Sequence, residues 1–211
     1  MSHEYAVLGG LNRALIGKLV MWVSVILSGA VSAVAGLAVA IIGKAGFNIP
    51  PVVLWPITAG LIYGGLYWLF EGHVWKLPRL SALLRVPNLS GTWTCRGQTI
   101  NQTDKTLGPE WEAEVLIEQS WDKIRIRWKT SRSTSISTSA ALIYEGADGY
   151  RVLYSYRNQP SISEPDMAPH RGYAELAFPL DVQSASGEYF NGHGRYTYGT
   201  LNLIRSESKA S

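Results

Sequence analysis

The chain has 211 residues, with 19 Lys and Arg against 16 Asp and Glu and a formal net charge of +3, too small an excess to hold long nucleic-acid tracts. Its single cysteine, Cys95, excludes a disulfide framework and a cysteine-rich metal site. The mean hydropathy of +0.03 conceals a polarised chain, with nearly all the apolar sequence in the first third.

Two uncharged runs open the chain, Leu19–Gly43 and Ala45–Phe70. A bilayer core about 30 Å thick needs roughly 20 apolar residues of helix. Both runs exceed that, and both outlast the apolar core of a signal peptide. Neither shows the polar face of a helix in a soluble protein. The expectation for residues 1–70 is therefore a two-helix membrane hairpin, with spans near 19–43 and 52–70. Gly46, Asn48 and the Pro50-Pro51 pair mark its turn. Arg13, Lys18, Lys76, Arg79 and Arg85 flank the outer ends, against Lys44 alone in the turn. The positive-inside rule then puts both termini in the cytoplasm. Ser28, Ser32, Gly36 and Ala40 recur every fourth position on the first helix, and Gly60 and Gly64 form a GxxxG on the second. Such stripes let helices approach closely, within one chain or between chains.

Residues 71–88 mix Trp75, Leu77, Leu80, Leu83 and Leu84 with Lys76, Arg79 and Arg85. This reads as an amphipathic juxtamembrane linker lying on an anionic leaflet, or as a segment packed on the following domain.

From residue 89 to 211 the period changes to two. Trp111, Ala113, Val115 and Ile117 alternate with Glu112, Glu114, Leu116 and Glu118; Ile124, Ile126 and Trp128 alternate with Arg125, Arg127 and Lys129. Tyr150, Val152, Tyr154 and Tyr156 share another face. Alternation of this kind marks half-buried strands, and the Glu and Arg/Lys faces should meet as cross-strand pairs outside. Eight strands are predicted: Gly91–Thr99, Glu110–Ser120, Lys123–Ser131, Ser135–Tyr144, Tyr150–Arg157, Gly172–Leu180, Glu188–Asn191 and Arg195–Ile204. Eight antiparallel strands with one apolar face close into a small up-and-down barrel of lipocalin type; a two-sheet sandwich is the alternative. In the last strand, either Arg195, Thr197, Leu201 and Leu203 face inward, or Tyr196, Tyr198, Asn202 and Ile204 do.

Enzyme chemistry finds little footing. The four histidines have no metal-ligand spacing. There is no P-loop and no nucleophile elbow. Glu112, Glu114 and Glu118 belong to a solvated face. The expectation is a protein without catalysis, cofactor or metal.

The whole layout, the opening "NLSGTW" (Asn88–Trp93) and the ending "GHGRYTYGTLNLIR" (Gly192–Arg205) resemble a known family. It is the two-transmembrane β-barrel effectors of bacterial anti-phage cyclic-oligonucleotide signalling, the CBASS systems. They are also described as SMODS-associated 2TM β-strand-rich effectors. The resemblance implies that a cyclic dinucleotide binds the barrel, that binding drives homo-oligomerisation, and that the membrane segments then disrupt the bacterial inner membrane in abortive infection.

Up-and-down topology sends residues 100–109, 132–134, 158–171 and 192–194 to the end of the barrel away from the linker. Arginine offers bidentate donors to phosphate, and aromatic rings offer stacking faces to bases. The predicted ligand site is Trp128, Arg132, Tyr156, Arg157, Asn158, Arg171, Tyr173, His193 and Arg195, with His170, Asn191, Tyr154 and Tyr196 nearby and the loop "NQPSISEPDMAP" as a lid. The competing function is a membrane-tethered lipocalin-like barrel for an apolar ligand, which would present an apolar mouth. A structural membrane-assembly protein with no ligand is the third.

Overall fold

The computed structural model describes residues 2–43, 55–101, 105–192 and 196–206. The chain divides into two units, residues 11–77 and residues 1–10 with 78–211.

In the first unit, Asn12 caps helix α1 (Arg13–Gly43): its Oδ1 accepts the Ala14 N–H at 2.8 Å. The Ser24 hydroxyl, in an otherwise apolar run, donates back to the Val20 carbonyl at 2.6 Å. Helix α2 (Trp55–Gly72) packs against α1. Among the described residues, Arg13–Val34 is one stretch long and apolar enough to cross a membrane, with mean hydropathy 2.0. The expected second span, 52–70, and the turn before it fall partly outside the described residues. Of the small-residue stripes, Ser28 is buried and Ser32 and Gly36 are half-buried; the side chain of Ala40 lies outside the description. A methyl added at Gly36, Gly60 or Gly64 would meet no described atom within 4 Å.

Among the described residues, the second unit is one continuous sheet of nine strands. They are β1 (His3–Leu8), β2 (Gly91–Ile100), β3 (Leu107–Gln119), β4 (Lys123–Lys129), β5 (Ser133–Tyr144), β6 (Tyr150–Pro160), β7 (His170–Phe178), β8 (Ser184–Gly192) and β9 (Tyr198–Arg205). Strands β2 to β9 form an antiparallel meander, and the sheet closes into a ring. Alternation is the cause: Val115, Ile117, Ile126, Val152 and Tyr154 are buried, while their neighbours face out. As expected, the charged faces meet in register, Glu114 with Lys129 and Glu118 with Arg125. Leu201 and Leu203 are buried and Ile204 is exposed, which settles the facing of β9.

The described residues form nine strands where eight are predicted. Residues 3–8 form a short segment far from the other strands in sequence, ending on Ala6, Val7 and Leu8 without a period of two, so the hydrophobic pattern marks no strand there. They fill a gap. β4 and β5 pair only from Arg127–Lys129 to Thr134–Ile136; beyond that they splay. β1 inserts there, antiparallel to β4 through His3 and Glu4 and parallel to β5 through Tyr5–Leu8. Ser137 stands at the fork, beside a bulge. Its Oγ accepts the Ile126 N–H at 2.9 Å and lies 2.8 Å from His3 Nε2. His3 Nδ1 lies 3.0 Å from the Glu4 carbonyl, an acceptor only, so Nδ1 carries the proton and Ser137 donates to Nε2.

The ring is stoppered at the end where β2 begins. Trp93 is fully buried, edge-on to Phe178 at 5.4 Å, and donates to the Leu89 carbonyl at 3.1 Å. The Arg205 guanidinium lies 5.2 Å over the Trp93 ring and donates to the Ser90 carbonyl at 2.6 Å. Tyr5, Gln119 and Leu89 form a buried chain of hydrogen bonds that ties β1 to this end. A short helix α3 (Pro78–Leu84), inside the predicted linker, groups with the sheet and buries Leu84.

Two outcomes follow from this packing. Ser137→Ala should leave the buried Ile126 N–H unpaired and cost about 1–3 kcal/mol, read as a lower unfolding midpoint and faster exchange of the Ile126 amide. Burial pushes the Cys95 thiol from 9.0 up to about 12. Folding favours the neutral thiol, so its contribution to stability is intact below pH 9.0 and is lost as pH rises through about 12. Maleimide at pH 8 should leave the native protein unlabelled and label it in denaturant.

Candidate functional site

Opposite the Trp93 stopper, the ring holds a cavity of about 430 Å³. The register explains which residues reach it. The facing strand ends of β2 and β3, β4 and β5, β6 and β7, and β8 and β9 all lie at this end, as the meander predicts.

The wall is aromatic. Trp111, Trp128, Tyr154, Tyr156 and Tyr189 line it. Trp111 sits edge-on to Trp128 at 6.4 Å and to Tyr189 at 5.7 Å. Two inward glycines make room for these rings. A Cβ at Gly97 would overlap Trp111, its register partner; one at Gly172 would overlap Tyr156, likewise its partner. Burial holds the Tyr154 phenol well above its ordinary pKa, so it stays neutral. The Tyr156 hydroxyl donates to Asn191 Oδ1 at 2.7 Å, and Asn191 Nδ2 donates to Thr197 Oγ1 at 2.8 Å.

Polar groups fill the rest. Thr99, Thr130, Ser131, Ser133 and Ser135 supply hydroxyls, and His170 and Asn158 are buried. Arg132, Glu110 and Glu112 bring charge to the rim. The loop of residues 161–169 reaches over: Met167 lines the cavity, and Glu164 takes Arg132 Nε at 2.8 Å and Nη2 at 2.6 Å through one oxygen. That carboxylate raises the Arg132 pKa above its usual value.

Of the predicted site residues, Trp128, Arg132, Tyr156 and Asn158 come together on the cavity wall. Arg157, Arg171 and Tyr173 do not. On β6 the inward positions are 154, 156 and 158, so Arg157 faces solvent. Arg171 lies between inward His170 and Gly172 and pairs across the outer face with Arg157. Tyr173 also faces out, against Phe190 at 5.3 Å. Each is near the mouth along its strand but on the wrong side of the pleat. His193 and Arg195 lie outside the described residues. Trp111 and Tyr189 also line the cavity, outside the predicted site. Period-two alternation marks Trp111 only as an inward position, and a strand predicted over Glu188–Asn191 is too short to show the facing of Tyr189. The glycine opposite Trp111 is the signal that marks it. No cluster of His, Cys, Asp and Glu able to hold a metal occurs among the described residues.

A pocket of this size, walled by rings and lined by Arg132 and many hydroxyls, suits a small polar molecule with flat faces and an anionic part. Glu164→Gln should weaken the hold of the loop on Arg132, seen as faster amide exchange across residues 161–169 with the ring amides unchanged.

Comparison with known proteins agrees with this chemistry. Residues 84–205 match the family model described as "Cap15, cyclic dinucleotide receptor domain", and residues 14–76 match "Cap15, TM helices". The chain is 43% identical to CD-NTase-associated protein 15 of Yersinia aleksiciae over 208 residues, 98% of each chain.

Proposed function

Since the chain belongs to the Cap15 family, with a cyclic dinucleotide receptor domain and a transmembrane region, we propose that it is an anti-phage effector that binds a cyclic dinucleotide inside its strand ring. One observation carries the reading: the cavity joins five aromatic rings to an arginine that a loop carboxylate holds. Bases can stack on the rings. A phosphate can replace Glu164 on the Arg132 fork, since either anion offers oxygens that accept from the guanidinium N–H groups. An apolar-ligand carrier fits less well, because Arg132, Glu110 and the hydroxyls make the mouth polar.

In this reading the hairpin crosses the bacterial inner membrane twice, with both termini in the cytoplasm. Ligand binding frees the 161–169 loop and favours association of the rings. Clustering raises the local concentration of hairpins. The open GxxxG face at Gly60 and Gly64 then packs between chains, and the bilayer is breached. No catalytic step is involved. Only a ligand that binds the associated state more tightly can shift the balance.

Full-length protein in detergent, titrated with cyclic dinucleotides, tests the receptor step. Binding should weaken about 10- to 100-fold in Arg132→Ala and stay unchanged in Arg157→Ala, whose side chain faces away from the cavity. Equal loss in both variants, or none in either, would place the ligand elsewhere. Dye release from anionic liposomes that requires ligand tests the membrane step.

A further inference from the structure

Asn158 lines the cavity and is 6% exposed. Its Nδ2 donates to Ser133 Oγ at 2.9 Å and to Ser135 Oγ at 2.8 Å, so both carboxamide hydrogens are used. Its Oδ1 has almost no accessible surface and no partner among the described residues, so a ligand group reaches it only as neighbouring side chains shift. The reversed amide would place Oδ1 on the two hydroxyls and strand two N–H donors in the wall. Orphaned donors are worse tolerated than an under-satisfied carbonyl oxygen. The two serines therefore fix the carboxamide with its acceptor as the free end.

The position is also fixed. Trp128, Ser135, Asn158 and His170 pair in register across four neighbouring strands, and all line the cavity. With strands roughly 4.8 Å apart, the row sets a flat indole two strands from a fixed acceptor. That spacing, roughly 10 Å between backbones, suits a base lying against the ring with one edge turned to the amide.

We propose that Asn158 is a specificity-determining residue: its anchored carbonyl oxygen accepts a hydrogen bond from an N–H on the edge of one nucleobase of the ligand. A base presenting a carbonyl or bare ring nitrogen at that point sets acceptor against acceptor and is rejected. This rests on the receptor reading above. It adds that selection is made by a neutral buried acceptor, separately from the phosphate contact at Arg132.

The test uses full-length protein in detergent and a panel of cyclic dinucleotides covering adenine, guanine, uracil and cytosine. The readout is the ratio of affinities between the best and the poorest ligand, with thermal unfolding as the check on folding. In Asn158→Leu the ratio should fall about 10- to 100-fold, mainly through loss of the best ligand. Ser135→Ala, a milder change, releases the carboxamide and should lower the ratio in the same direction. It serves if the leucine variant does not fold. An unchanged ratio in a folded variant overturns this inference and leaves the receptor reading standing. Absence of wild-type binding to any of the panel overturns the receptor reading, and this inference with it.

Discussion

The sheet closes along its whole length because a strand from near the N-terminus fills the split where β4 and β5 part. Two strands that diverge leave rows of unpaired N–H and C=O groups, which a buried wall cannot tolerate. β1 covers both rows, one edge antiparallel and the other parallel. At the branch point the Ser137 hydroxyl accepts the Ile126 N–H. The serine is thus a substitute rung of the ladder, and His3 orients it. The receptor unit is therefore not a C-terminal segment alone, since it includes the residues that lead into α1.

This division of labour gives the ring two different ends. At one, Trp93, Phe178 and the buried hydrogen-bond chain through Gln119 fill the interior. At the other, β4 and β5 stay paired to their turn, and large rings line the wall instead of meeting at the centre. Gly97 and Gly172 matter here. By offering no side chain, they let Trp111 and Tyr156 lie against the sheet. The space the glycines vacate near the wall leaves room further in for a ligand.

Much of this was legible in residue order, because period-two alternation maps directly onto the two faces of a sheet. Burial of Val115, Ile126, Val152 and Tyr154, the outward Glu and Arg pairs, and the end at which the candidate site lies all follow from it. Arg157, Arg171 and Tyr173 show the limit. They were chosen for residue type and distance along the strand, and the parity already visible in Tyr154 and Tyr156 would have turned Arg157 outward. β1 was illegible for another reason. Six residues carry too little pattern, and their pairing with β4 and β5 spans more than a hundred residues. Asn158 was legible as a polar residue near the mouth; the anchoring of its amide needed the register of Ser133 and Ser135.

The placement of charge has one physical cause. A bare guanidinium deep in a narrow cavity would lose its hydration without a partner, at a cost of several kcal/mol. The arginine that lines the cavity therefore sits at the rim, with its side chain 60% exposed and a carboxylate to pair with. The deeper wall carries hydroxyls, a carboxamide, a phenol that burial keeps protonated, and the His170 ring. Neutral groups can wait for a ligand at moderate cost, because their unmet hydrogen bonds are single and weak. Charge at the rim and neutral donors and acceptors below match the layout of a cyclic dinucleotide, whose phosphates carry the charge and whose bases are neutral.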